Sequence, residues 1–345
     1  MKAKFKSFAT ILLAASLVTA AGCGKQASPE ASGTANTPAG DGKKVKIGIM
    51  QIVEHASLDA ARQGFIAALK DNGYEDKKNA EIDYQNAQND MNNNTTIAQK
   101  FAADKKDLVL GVATPSALAA AQTLKDTPVL FTAVSDPVGA KLVKSIESPG
   151  GNVTGTSDLD PKSVDQLTAF IAKNFPAIKT IGIVSNEGEQ NSQVQVKQAE
   201  AAFAKNNIKM VKASASNSSE VKQAAESLVG KADALYVPLD NTVVSALKVV
   251  VQVAEKSKKP LFVGENDSVQ GGGFAAYGSN YYDLGYTTGL QAVEILKNGK
   301  KPADIPVGYP KKLDLAINLK AAKNMGVEVT DAMKAEVKEK ANLFE

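Results

Sequence analysis

The chain has 345 residues, with 40 Lys and Arg against 37 Asp and Glu. Lys2, Lys4 and Lys6 precede Cys23 with no acid among them, which leaves 37 basic residues against 37 acidic ones beyond it. The body is neutral and lacks the clustered positive charge that binding to nucleic acid or an anionic membrane requires, while one Cys, one His and no Trp exclude disulfide frameworks and Cys/His metal clusters.

Residues 1–22 carry a Lys-rich start, an apolar run from Phe8 to Ala21 and then Gly22, the pattern of a secretory signal. The run is shorter than the roughly 20 residues of a membrane-spanning helix. Ala20, Ala21 and Gly22 before the only Cys resemble a bacterial lipobox, with Ala20 where Leu is usual. That resemblance implies acylation of Cys23, which becomes the mature N-terminus; the alternative is an ordinary signal with an incidental Cys. Residues 23–43, rich in Gly, Ser, Pro, Ala and Thr, bury too little apolar surface to order themselves and read as a disordered tether.

From Val45 short β-branched runs alternate with helical segments. Strands are expected at 45–50, 81–86, 107–112 and 128–134, with helices over 57–72, 93–103 and one opening near Ser116. NVTGTS (152–157) reads as an extended crossing. The rhythm restarts with strands at 179–186, 208–214, 234–240 and 260–266 and helices over about 191–206, 218–229 and 243–256. A second crossing at 273–282 leads to a helix over about 283–297, and 314–327 adds a strand and a helix. Such alternation argues for parallel sheets of right-handed βαβ units. The openings KIGIM (46–50) and TIGIV (180–184) match in kind, so the expected fold is α/β: two doubly wound parallel-sheet lobes joined by a multi-stranded hinge. The N-terminal lobe takes 44–156 plus about 280–312, and the C-terminal lobe 157–279 plus about 313–345.

In such sheets ligands bind beyond the carboxyl ends of the strands. Thr114 and Ser116 open a helix whose free N–H groups suit a carboxylate, although Ser and Thr are also ordinary N-caps. Ser135 and Asp136 hold the equivalent place on the next strand, or form an Asp-Pro turn. A buried ammonium needs carboxylates; Asp240 and Glu265 end neighbouring strands and can share one, unless Asp240 caps the helix at Thr242. Ser185 and Asn186 can bind a ligand carboxylate or shape their turn, and Ser57 can touch ligand or cap its helix. His55 has no companion for metal binding or catalysis. Tyr277, Tyr281, Tyr282 and Tyr286 form an aromatic cluster in which no single ring stands out, and Gly271-Gly272-Gly273 reads as a flexible turn, since no GK[ST] follows it.

The elements VEHxxLD (53–59), ATPSA (113–117), FTAVSDP (131–137), NVTGTSD (152–158), LDNTVVSAL (239–247), DSV (267–269), YYxLG (281–285) and PADIPV (302–307) occur in the order that resembles one family. It is the tryptophan/tyrosine-type substrate-binding lipoproteins of ABC importers, with the type I periplasmic-binding-protein fold. The resemblance spans about 45–330, with Glu265 where Asp is commoner. It implies a monomeric, non-enzymatic protein without cofactor or metal, lipid-anchored on the extracellular or periplasmic face of the cell membrane. Its partners are then an amino acid, aromatic by resemblance, the ABC permease with its ATPase, and the membrane through the anchor, but no nucleic acid. The resemblance also makes His55 a wall of the cleft. The rival expectation is a sugar or other small-solute binding protein, or a sensor, of the same fold. The lack of Trp and the paired acids weigh against a sugar.

Overall fold

The computed structural model describes residues 44–345; the signal, Cys23 and the tether lie outside the described residues. β1 (Val45–Gln51) is apolar and buried through most of its length, as a strand inside a parallel sheet must be. It is followed by α1 (Ala56–Asp71), β2 (Ala80–Asn86), α2 (Met91–Ala103), β3 (Leu108–Val112), α3 (Thr114–Thr123), β4 (Val129–Thr132) and β5 (Val153–Gly155). These strands make one parallel sheet in the order β2-β1-β3-β4-β5. The fourth strand ends earlier than its apolar run suggests because Ala133 takes a positive φ of 57° and leaves the extended region.

The second half runs α4 (Pro161–Asn174), β6 (Thr180–Ser185), α5 (Gln190–Lys205), β7 (Lys209–Ser214), α6 (Val221–Leu228), β8 (Ala234–Val237), α7 (Asn241–Ser245), α8 (Leu247–Ser257), β9 (Leu261–Val263), α9 (Asn266–Gln270) and β10 (Ala275–Gly278). The chain then returns to the first lobe as α10 (Tyr281–Asn298), which packs along α1. β11 (Asp314–Asn318), α11 (Leu319–Met325), α12 (Asp331–Glu336) and β12 (Leu343–Phe344) complete a second sheet, β12-β11-β10-β9-β8-β6-β7. One pair departs from the parallel expectation: β11 runs antiparallel to β10, with Asp314 opposite Gly278. The chain leaves the second lobe at the carboxyl end of β10 and re-enters at that same end, so β11 can only run back. Each sheet has its own apolar core, around Phe65, Phe101 and Phe131 in one lobe and Phe203, Phe262 and Phe274 in the other.

α4 is not among the elements read from the sequence, yet its signals are local. Asp160 accepts a hydrogen bond from the Lys162 N–H at 2.8 Å, and Val164, Leu167, Phe170 and Ile171 form its buried stripe. Asp160→Ala is expected to lower stability by about 1 kcal/mol, read as a shifted denaturation midpoint at unchanged slope. The helix expected over 243–256 is two, broken at Ala246. The glycine turn is tightly packed: Gly272 has φ 115°, and a Cβ on Gly273 would press on the Val263 side chain.

Three segments cross between the lobes, near 156–160, 279–280 and 308–313, and they are tied together. The Ser157 N–H donates to the Gly308 carbonyl at 2.9 Å, and the Tyr281 hydroxyl donates to Asp158 Oδ2 at 2.9 Å.

Candidate functional site

Both sheets reverse their strand order, at β1/β3 in the first and β6/β8 in the second. Where successive helices leave on opposite faces, the loops diverge and open a crevice at the strand ends. The two crevices meet at a cavity of about 20 Å³. The first lobe contributes His55, Leu58, Ser135 and Tyr281, the first crossing Asp158, and the second lobe Asn191, Asp240, Asn241 and Glu265. A larger groove of about 490 Å³ lies beside the hinge crossings, walled by Asp283, Tyr309, Lys312 and Glu339. It is framed by the crossings rather than by the switch-point loops, so the smaller cavity is where the fold gathers polar groups for a ligand. None of the side chains lining that cavity is Lys or Arg. Among the described residues no group of three or more acidic, His or Cys side chains is arranged to hold a metal ion.

Glu265 is 2% exposed. Its Oε1 accepts hydrogen bonds from Ser57 Oγ of the opposite lobe at 2.8 Å and from Ser268 Oγ, while the buried Oε2 has no partner. Burial pushes its pKa up to about 7 against the pull of those hydroxyls. Ser57 thus neither caps its helix, whose N-cap is His55, nor lines the cavity; it clasps the two lobes together. Asn89 to Thr242 at 2.9 Å and Gln195 to Ser135 at 3.3 Å are further bonds across the cleft.

Asp240 lines the cavity and also caps α7. Its Oδ1 accepts from the Val243 N–H at 2.9 Å, and its Oδ2 from the Asn186 N–H at 2.5 Å and Ser192 Oγ at 2.7 Å. Burial, and then the neighbouring Glu189 carboxylate, raise its pKa. Asp158, buried in the first crossing, is raised by burial to about 6 although Tyr281 donates to it; its Oδ1 has no partner. His55 is also buried with both ring nitrogens unpartnered, and burial lowers its pKa to about 4, so the imidazole is neutral at physiological pH.

The remaining expected residues lie outside the cavity lining. Thr114 is the first residue of α3; its N-cap, Ala113, offers no side chain, and the buried Thr114 Oγ1 has no partner. Ser116 donates to Asn94 Oδ1 at 2.8 Å. Asp136 turns away and accepts from the Gly139 N–H at 2.8 Å, which makes it a turn residue. Ser185 is buried beneath the loop, and Asn186 donates through Nδ2 to Thr242 Oγ1 at 2.9 Å.

The family described as "ABC transporter substrate binding protein" matches residues 46–341, nearly all of the described chain. The chain belongs to this family. As an ABC transporter substrate-binding protein it binds a solute and is not an enzyme, which accords with a cleft of polar groups at strand ends. It is 47% identical over 293 residues to a tyrosine-binding protein of Clostridioides difficile, with 85% of this chain and 84% of that one covered. A Streptococcus pneumonia ABC domain solved in complex with L-Trp is 35% identical with a TM-score of 0.81, covering 86% and 99% of the two chains. A Clostridium difficile substrate-binding protein with adhesive properties, solved ligand-free and open, is 46% identical but has a TM-score of only 0.64, with 87% and 98% covered. The more similar sequence gives the poorer overlap.

Sequence reasoning missed Asp158, Asn191, Asn241 and Tyr281 as lining residues, and Glu189 behind them. Glu189 accepts from the Asn191 and Asn241 side-chain amides, the Asn241 and Thr242 N–H groups and the Thr242 hydroxyl. Glu189 fixes the rims of β6 and β8 from below. Asp158, Asn241 and Tyr281 stand within the motifs NVTGTSD, LDNTVVSAL and YYxLG, whereas Glu189 and Asn191 sit at the start of α5 and carry no signal of their own.

Proposed function

We propose that this binding protein captures an aromatic amino acid, Tyr, Trp or Phe, between its lobes and hands it to an ABC permease. The observation that carries the reading is a cavity between two lobes where two buried carboxylates, Asp158 and Glu265, each keep an oxygen without a partner, with no Lys or Arg side chain in the lining. Such a cluster is costly unless a cation enters, and an α-ammonium is the cation that an amino acid supplies. The tyrosine-binding relative and the L-Trp complex support the aromatic side chain. The carboxylate is assigned to the N-terminus of α3, which has no side-chain cap and holds the unpartnered Thr114 hydroxyl, although Thr114 and Ser116 stand outside the lining of the closed cavity. A cavity of about 20 Å³ has room for about one water, so the lobes must part at the three crossings to admit ligand and then close on it. Cys23 carries the lipid anchor in this reading, and residues 24–43 let the body reach the permease from the outer face of the membrane.

The test is melting temperature after unfolding and refolding to remove carried-over ligand, with single amino acids, peptides and sugars. Ligand at 100 times its dissociation constant adds about 2.7 kcal/mol, so Tyr, Trp or Phe is expected to raise the transition clearly. A shift with sugars alone would overturn the reading. Incorporation of labelled palmitate into wild type but not Cys23→Ala checks the anchor.

A further inference from the structure

We infer that the ammonium seat is formed by Asp158, Glu265 and Asn191, and that Asp240, expected from the sequence to share the ammonium with Glu265, is a positioning residue instead. This rests on the amino-acid reading above and assigns its chemistry to particular atoms.

The argument is a count of unfilled acceptors. An ammonium carries three N–H donors and no acceptor. Among the described residues lining the cavity, the buried oxygens without a hydrogen-bond partner are Asp158 Oδ1, Glu265 Oε2 and Asn191 Oδ1, and the one other unfilled acceptor there is a ring nitrogen of neutral His55, which carries no charge to hold a cation. The orientation of the Asn191 amide is set by its neighbours. Its Nδ2 donates to Glu189 Oε2 at 3.1 Å and to the Leu239 carbonyl at 3.0 Å, both acceptors only, so the oxygen is the atom left for the cavity. Asp240 differs in kind. Both of its oxygens are filled, by two backbone N–H groups and a hydroxyl that tie the β6 loop, α5 and α7 together. Leaving a buried carboxylate oxygen unmatched is expensive, and two such oxygens beside an amide oxygen match one ligand group.

The position of Asp158 adds a mechanical consequence. It sits on the first crossing and holds the Tyr281 hydroxyl, where the second crossing ends. Glu265 holds the first lobe through Ser57. An ammonium bound there draws on the hinge and on the clasp at once, so it stabilises the closed arrangement by contacts that the open one cannot make together.

The experiment is calorimetric titration of the full chain, stripped by refolding, with L-Tyr, L-Trp and L-Phe and with their des-amino 3-arylpropionate analogues. Wild type is expected to prefer the amino acid strongly. Asp158→Asn keeps an acceptor for Tyr281 and is expected to lose about 30-fold or more for the amino acid while keeping its affinity for the analogue, so the preference collapses. Asp240→Asn is expected to melt at lower temperature but to keep the preference. A second measurement on wild type needs no variant: at pH 6 the amino acid is expected to release protons on binding, read from buffers of different ionisation enthalpy, and the analogue is not. The seat acids titrate among Asp240, Asp267, Glu189 and neutral His55, which both ligands meet alike. Preference retained by Asp158→Asn, preference lost by folded Asp240→Asn, or equal proton release by both ligands overturns the assignment. Wild type that binds none of the three amino acids overturns the amino-acid reading itself.

Discussion

Glu265→Gln is expected to weaken binding of the aromatic amino acid by about 100-fold and at the same time to raise the melting temperature of the ligand-free protein at pH 7.5. The two effects have one cause. The Glu265 carboxylate is almost fully buried, and no cationic side chain lines the cavity beside it. Folding therefore pushes its pKa up to about 7. Between the unfolded value near 4.5 and that folded value, the folded state holds the proton more firmly than the unfolded one. Stability attributable to this group is present below about 4.5 and declines as pH rises through about 7. Gln keeps one oxygen for the Ser57 and Ser268 hydroxyls and places its N–H₂ towards Asp158, whose charge bears on this site. The variant should thus gain on wild type above pH 7 and lose that gain near pH 4.5. The measurements are titration calorimetry and melting curves across that range. Unchanged affinity would remove Glu265 from the site, and a melting gain that does not vary with pH would show that charge burial is not its origin.

The strand–helix rhythm was legible because it is local: a parallel sheet buried on both faces writes continuous apolar runs, and β1, β3, β6 and β8 are such runs. From that rhythm followed the two lobes and the loops at their carboxyl ends, where Ser135, Asp240 and Glu265 line one cavity; His55, in the same lining, came from the family resemblance alone. Function within those loops was harder. Asp136 and Asp240 lie in similar strand-end settings, yet Asp136 closes a turn with Gly139 while Asp240 faces inward and caps α7. The difference is set by which neighbours the sheet supplies, and local sequence does not hold it. Asp158 was the opposite case. It ends the motif NVTGTSD, but an acid at the end of an extended crossing looks like solvent-facing linker until the Tyr281 helix, over a hundred residues later, folds across it. The antiparallel β11 likewise follows from where the chain re-enters the lobe, a non-local fact.

Gly285→Ala is expected to destabilise the protein by about 3 kcal/mol or more, the largest loss of stability for any single methyl added on the α1–α10 seam. α1 and α10 touch through glycines. A Cβ on Gly285 would overlap the Ala61 carbonyl oxygen, one on Gly64 the Tyr282 carbonyl oxygen, and one on Gly289 would lie 2.7 Å from the Phe65 carbonyl oxygen. These obstacles are backbone, which no rotamer change can move, so the helices must separate along their length and open a gap in a close-packed core. For a body this large the loss corresponds to a fall of roughly 2 °C in melting temperature per kcal/mol. Gly151→Ala, at a site with nothing within 4 Å and no positive φ, is the neutral control. Adding Gly64→Ala to Gly285→Ala should cost much less than Gly64→Ala alone, because the helices are by then already apart. The seam also reaches the site: α1 begins beside His55 and α10 begins at Tyr281, and both residues line the cavity. Spreading the helices moves Tyr281 away from Asp158, so the surviving folded protein should also bind its amino acid more weakly. A Gly285→Ala protein that melts within 1 °C of wild type would show that the two helices slide apart freely, and that the seam does not set the position of the hinge.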